Sequence, residues 1–393
     1  MRNSYFVDTK DIPDWGEFML KLLNLDKPIS RTPKSYLIKN KNDTLAIVEF
    51  DSKRNVVSVT GELPQLIRNN VRGWFESRTP PKHRAHMKEL MEQMGATDFT
   101  DILDFSKGLS LNDNFWVCPE GDNLDWNEIN LFDNEFDETI ARIAFTGGLY
   151  GIQFSTTSPE FATNGMLPKC WVRDSSGVIN LIKAGTDGFS NTGWEPYCEV
   201  MATQILCRLK YKHVPYKLVN FHGKKASSCP LLTSKKLSMA PSFLLLSFDN
   251  FQGMVSSCVE EGFGKQLAEY LIFDFLTCNP DRHAGNISVL FNPDTYEPLG
   301  LSPIYDNGMS CLCYIGRDDT WKDYYRTLGP SLYDTFEEGA MVGKYFRKND
   351  HNVESLIGFK FDRRELGDMP ESRVQMVEEF LQLRVQQFFD LNI

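Results

Sequence analysis

The chain has 393 residues, 41% of them hydrophobic and 24% charged, with a net charge of −11. That length suits about two or three domains or one large bilobal unit, with ample apolar material for a core. The negative charge argues against nucleic acid as the main partner, because phosphate backbones are gripped by basic surfaces, and no direct nucleic-acid binding is expected.

The first residues, Met1 to Lys10, carry no apolar signal-like core. No apolar run approaches the roughly 18 residues of a membrane span, so none is expected. Residues 34 to 60 read as a small sheet, with β-rich runs at Tyr36–Ile38, Leu45–Phe50 and Val56–Val59 separated by Asn, Asp and Lys turns. Leu63 to Phe75 and His83 to Met94 read as helices, parted by the breaker Arg78-Thr79-Pro80-Pro81 and stopped at Gly95. The stretch 98 to 140 is acidic and aromatic, with Trp116, Trp126, Phe132 and Phe136. It reads as an ordered but irregular connector, since flexible linkers are poor in large aromatics.

From 142 to 250 the pattern is strand-rich. Cys170–Arg173 and Val178–Lys183 flank the turn Asp174-Ser175-Ser176-Gly177 as a hairpin. Pro196 to Leu209 reads as a helix, and His213 to Phe221 and Ser242 to Phe248 as further strands. Beyond 251 the chain is mainly helical. Leu267, Leu271 and Phe275 form one stripe of a helix over Gly264 to Cys278, which Asn279-Pro280 ends. Ile287–Phe291 and Leu299–Tyr305 read as short strands around Asn292-Pro293-Asp294, and the last helix as Glu371 to Asp390. The nine cysteines are odd in number with no repeated C-x-x-C, so they read as reduced, mostly buried thiols of a cytoplasmic protein. Cys311-Leu312-Cys313 has the wrong spacing for a zinc knuckle.

The chemistry concentrates in Asp281-Arg282-His283-Ala284-Gly285-Asn286 and the later Tyr305-Asp306-Asn307-Gly308. A helix, a Pro break, Asp-x-x-x-x-Asn, a hairpin and Asp-x-Gly together form a kit for phosphoryl transfer. Asp281 can orient or deprotonate a hydroxyl, and Asn286 and Asp306 can hold Mg²⁺ against ATP phosphates. His283 is a second catalytic candidate, either hydrogen-bonding the loop backbone or approaching the γ-phosphate. Arg282 reads as loop-facing or solvent-exposed. Phe248 falls near where a hinge would grip adenine.

The Asp281–Asn286 loop resembles the D-R-H-x-x-N loop of phosphoinositide-kinase-like enzymes and the D-x-H-x-x-N loop of bacterial HipA-like serine/threonine kinases, which include CtkA-type members. Thr163-Asn164-Gly165-Met166-Leu167-Pro168-Lys169 is similar to the glycine-bearing loop of the HipA-like group. Val178–Lys183 is similar to its strand with an ATP-contacting lysine, and Glu195-Pro196-Tyr197-Cys198-Glu199 to the start of the next helix. The resemblance covers about residues 145 to 310. It implies ATP and Mg²⁺ as cofactors, with Gly165, Lys169 and Lys183 on the nucleotide and Glu199 steadying Lys183. Glu195 is set aside because it precedes Pro196.

The expected fold class is α+β: a bilobal protein-kinase-like fold with a strand-rich N-lobe over 116–250 and a helical C-lobe over 251–393. Residues 1–115 form an N-terminal α/β accessory region. The resemblance further implies a protein serine or threonine as acceptor, and a toxin role with a small DNA-binding antitoxin as partner. The D-R-H sequence also permits a lipid or small-molecule kinase, and an ATP-binding regulatory module without turnover is the non-enzymatic alternative. The loop has one glycine in place of a full G-x-G-x-x-G. Where HipA-like proteins carry an autophosphorylated serine this chain has Ala162, with Thr163 the nearest hydroxyl.

Overall fold

The structure is a computed structural model that describes residues 32–81, 84, 86, 91–92, 95–147, 157–186, 193–246, 248–315, 321–348 and 351–391. The helix expected over 83–94 lies largely outside the described residues.

A four-stranded antiparallel sheet comes first, from β1 (Lys34–Asn40), β2 (Asp43–Phe50), β3 (Val56–Gly61) and β4 (Phe115–Pro119), ordered β3-β2-β1-β4. Alternation along β1 turns Tyr36, Ile38 and Asn40 inward. There Phe50 and Phe75 meet edge to face at 4.9 Å in an aromatic core with Tyr36, Trp74 and Phe115. The helix expected over 63–75 is split into Gln65–Arg68 and Val71–Ser77, because the Asn70 side chain accepts from Gly73 N–H and starts a new helix. The supposed irregular connector contains β4 and helices α1 (Phe99–Ser106) and α2 (Glu138–Thr146). Asp98 and Asp101 close a capping box on α1, and Asp137 caps α2.

The second sheet is β5 (Lys169–Arg173), β6 (Ile179–Ala184), β7 (Lys217–Phe221) and β8 (Lys224–Pro230), ordered β5-β6-β8-β7. Asp174 closes the β5–β6 turn by accepting from the N–H groups of Ser176 and Val178 at 2.9 and 3.0 Å. Phe145 of α2 covers one face with Cys170, Ile182 and Ala226. Helix α3 (Glu195–Leu209) brings its apolar residues into the large core shared with the C-terminal half.

The crossing to that half departs from expectation. The strand predicted over 242–248 is a short helix, Ser242–Leu245, and the strand lies just before it as β9 (Ser238–Pro241). β9 pairs with β10 (Ser288–Phe291), which pairs with β11 (Pro298–Leu301). Ser242 anchors the helix start by donating from its N–H to Ile287 O at 2.9 Å and from its hydroxyl to Ala284 O at 3.1 Å. The first sheet braces this crossing: Met239 N–H donates to Asn112 O at 2.7 Å, Asn114 Nδ2 to Lys235 O at 3.0 Å, and Phe115 stacks on Tyr296.

Helices α4 (Phe251–Glu260), α5 (Gly264–Thr277), α6 (Phe336–Phe346) and α7 (Glu371–Asp390) build the C-terminal half. α5 is buried on nearly every face and forms its axis. No helix among the described residues is long and apolar enough to cross a membrane. The architecture is α+β and bilobal, a protein-kinase-like arrangement with an added N-terminal sheet.

Candidate active site

Lys183, Glu199 and Asp306 come from a strand, a helix and a turn far apart in sequence, and the fold brings them to one point. Lys183 Nζ lies 2.7 Å from Glu199 Oε1 and 2.5 Å from Asp306 Oδ1. The second Glu199 oxygen accepts from Asn307 N–H at 2.9 Å, so the helix carboxylate also grips the turn carrying Asp306. Tyr216 lies beneath Lys183, its ring centroid 5.8 Å from Nζ, and its hydroxyl accepts from Asp306 N–H at 3.3 Å. Glu195 serves elsewhere: it accepts from Thr186 N–H at 3.2 Å and from its hydroxyl at 2.5 Å.

Burial would favour the neutral form of each of these groups, and their mutual attraction decides the outcome. For Lys183 burial pulls the pKa down, but Asp306 and Glu199 outweigh it and raise it. For Asp306 burial pushes up, but Lys183 and then Lys169 hold its carboxylate well below the usual range. Glu199 is 1% exposed, and burial lifts it above its ordinary value against the pull of Lys183. Asp306 adopts a left-handed backbone, φ 54°, a conformation that Asp tolerates better than most residues.

The loop from 279 to 286 is knitted by its own side chains. Helix α5 ends at Cys278 with φ 46°, and Asn279 Oδ1 accepts from Asp281 N–H at 3.2 Å. Asn286 Nδ2 donates to Asp281 O at 3.0 Å, which turns its amide oxygen the other way. Asp281 is half-buried, and burial raises its carboxyl above the ordinary value. His283 is exposed and takes the backbone role: its Nδ1 accepts from Gly285 N–H at 3.0 Å.

Of the two positions expected for Arg282, loop-facing or solvent-exposed, the structure excludes the second. Arg282 is fully buried, with Nε 3.1 and 3.2 Å from the two Asp274 oxygens and its ring-stacking partner Tyr270 at 5.0 Å. One guanidinium nitrogen donates to both Asn286 O at 3.2 Å and Tyr305 O at 2.8 Å, and the other reaches Asn307 Oδ1 at 2.6 Å. Arg282 therefore ties the Asp281–Asn286 loop to the turn bearing Asp306. A signal for it existed in Phe273-Asp274-Phe275: an acid inside an apolar helix needs a buried cation.

The glycine loop sits above. Gly165 has φ 95°, a conformation that residues with a Cβ rarely adopt, and a Cβ there would also displace Lys169 Nζ, 2.2 Å away. Lys169 faces Lys183 in the β5–β6 register, is buried, and donates to Asn164 O at 2.8 Å. It has no carboxylate partner among the described residues, and burial, with Lys183 adding repulsion, pushes its pKa down to about 7. Arg84 hangs this loop from the accessory region, donating to Glu160 O, to Thr163 O at 3.0 Å and to Lys169 O at 2.8 Å. The Thr163 hydroxyl is engaged with Pro159 O at 2.7 Å and Trp171 Nε1 at 2.9 Å. Phe248 packs against the large core that α3 shares with the C-terminal half.

This donor set suits a hard divalent cation and a polyphosphate. Asp306 is an ionised carboxylate with 39% of its side chain exposed, and Asn286 adds an amide oxygen, both ligand types that Mg²⁺ accepts. Lys183 and Lys169 supply cationic donors for phosphate oxygens.

The fold is a HipA-like, bilobal, protein-kinase-like architecture. The chain resembles HipA from the Shewanella oneidensis MR-1 toxin–antitoxin system, solved with HipB and operator DNA, at 12% identity over 91% of this chain and 100% of that one, with a TM-score of 0.50. It also resembles the Helicobacter pylori proinflammatory kinase CtkA, at 14% identity over 58% of this chain and 90% of that one, TM-score 0.43. A Golgi casein kinase with Mn/ADP bound aligns at 10% identity over 78% and 88% of the two chains, TM-score 0.33. No family model and no curated protein sequence matches the chain.

Proposed function

We propose that this chain is an ATP- and Mg²⁺-dependent kinase of the HipA-like kind, which moves the γ-phosphate of ATP to a serine or threonine hydroxyl of a protein. The observation that carries this reading is the Lys183–Glu199–Asp306 cluster, tied through Arg282 to the Asp281–Asn286 loop. In it, Lys183 and Lys169 bind phosphates, Asn286 and Asp306 hold Mg²⁺, and Asp281 orients the acceptor hydroxyl and takes its proton. The raised pKa of Asp281 suits a proton acceptor better than an ordinary carboxylate would. Bound Mg²⁺ supplies positive charge to the phosphate oxygens as negative charge develops on them. Most of the rate enhancement then comes from positioning and fixed charge.

Within this reading residues 1–115 are an accessory region, 116–250 the small lobe and 251–393 the large lobe. The likeness to HipA, which was solved with HipB and operator DNA, extends the proposal to a cytoplasmic toxin with a small DNA-binding antitoxin as partner. The test is incubation of the purified protein with Mg²⁺ and γ-labelled ATP, alone and with cell lysate, beside Asp281→Ala and Asp306→Ala. Label on protein serine or threonine in wild type, lost in both variants, is expected. Equal label in all three sinks the kinase reading, and label confined to the lipid fraction replaces the acceptor.

A further inference from the structure

On the flank of the second sheet lies a groove of about 860 Å³ that the catalytic reading does not use. One wall is a face of α3, where Val200, Thr203, Gln204 and Cys207 recur at helical spacing, starting next to Glu199. A second wall is β7, and the third is the segment from Phe359 to Gly367. In the strand order β5-β6-β8-β7, β7 is bonded to β8 on one side and, among the described residues, to no strand on the other. Its outer edge opens on the groove.

The charge of this groove runs against that of the chain. Arg208, Lys217, Lys225, Lys360 and Arg364 line it against Asp362 and Glu365, five cations to two acids in a protein of net charge −11. Lys225, Lys360 and Arg364 have carboxylate partners in Asp368, Glu378 and Asp362. Arg208 and Lys217 are exposed and have no carboxylate partner among the described residues. An open strand edge offers main-chain hydrogen bonds to any extended chain, and the surrounding charge selects which chain binds.

We propose that this groove is a docking site for an extended acidic peptide of a partner protein, added as a further strand to the free edge of β7. Side chains of the added strand alternate between the two faces of the sheet, acidic ones on the side of Lys217 and apolar ones on the side of Leu218 and Phe359, with Arg208 adding positive charge to the groove. Because α3 forms the wall and also carries Glu199, occupancy presses on the helix that steadies Lys183. Binding itself does not depend on the kinase reading.

The probe is a fluorescein-labelled peptide of alternating glutamate and valine, followed by fluorescence anisotropy on the full chain. Its counterparts are an alternating lysine–valine peptide, a glutamate–valine peptide with a central proline, and unlabelled oligothymidine as competitor. Saturable binding of the glutamate peptide is expected, weakened about tenfold or more in Arg208→Glu/Lys217→Glu and weakened by the proline, which cannot donate to the ladder. Hydrogen exchange at Lys217–Phe221 should slow when the peptide is bound. Thermal unfolding checks that the double variant folds, and the exposed Lys217→Glu alone replaces it if not. The proposal is overturned by absence of saturable binding, by equal binding of the lysine peptide, by undiminished binding in the variants, by unchanged exchange in β7, or by full displacement with oligothymidine.

Discussion

Two neighbouring regions treat buried cations in opposite ways. On the floor of the cleft Lys183 is paired with Glu199 and Asp306, and Arg282 with Asp274; both cations are held more firmly protonated than in water. In the glycine loop Lys169 and Arg84 are also buried, yet they are bonded only to main-chain carbonyls. Burial pushes Lys169 down to about 7 and Arg84 down to about 10. The cleft floor thus pairs its cations with carboxylates at hydrogen-bond distance, whereas the two cations of the glycine loop have no anion that close among the described residues. A polyphosphate lying between the two would supply it.

The largest test of this contrast is Arg282→Met. It leaves Asp274 as a buried charge without its partner and should cost about 3–5 kcal/mol, read from the urea midpoint. The double change Asp274→Asn with Arg282→Met should recover part of that loss. A cost no larger than that of an exposed arginine would show that the floor is not held by charge pairing. Next comes Asp306→Asn, which keeps the Lys183–Glu199 pair but removes a carboxylate proposed for the cation. Phosphate transfer should fall about 10²–10³-fold or more with the fold retained. A change under tenfold would break the link between this pair and the chemistry. Arg84→Met should cost less than Arg282→Met, about 1–3 kcal/mol, because it orphans carbonyls and strands no hydrogen-bonded carboxylate.

The same contrast explains what the sequence disclosed. The residues proposed for the site stand in a recognisable order in the sequence: Asp281, Asn286 and Asp306, with Lys183 upstream. Elements with a clear period or turn were legible too, such as the Glu371–Asp390 helix and the hairpin closed by Asp174. β8 was not, because its centre is Ala226-Ser227-Ser228, small residues buried between β6 and β7 where bulky β-formers would not fit. β4 hid in an aromatic stretch because Phe115 to Cys118 are all buried, so no in–out alternation marks it. The run Phe243-Leu244-Leu245-Leu246 has no period that separates strand from helix, and the anchor of Ser242 on the Asp281–Asn286 loop decides for helix. Arg84 and Tyr216 had no local signal, since each acts on residues far away in the chain.

The smallest and sharpest test concerns Lys169. Its folded value of about 7 lies below its ordinary 10.5, so the unfolded chain binds more protons between those limits. The cost of burying this ammonium is therefore full below pH 7 and fades as pH rises toward 10.5. Relative to Lys169→Met, wild type should gain stability across that window. A polyphosphate beside Nζ should lift the value again, so that nucleotide binding takes up a proton. Affinity then falls as pH rises above neutrality, by at most about tenfold per pH unit. Calorimetry at about pH 8 in buffers of differing ionisation enthalpy should register that uptake in wild type and lose it in Lys169→Arg, whose guanidinium stays charged. Uptake that persists in Lys169→Arg would assign the proton elsewhere and leave the glycine loop no different in kind from the cleft floor.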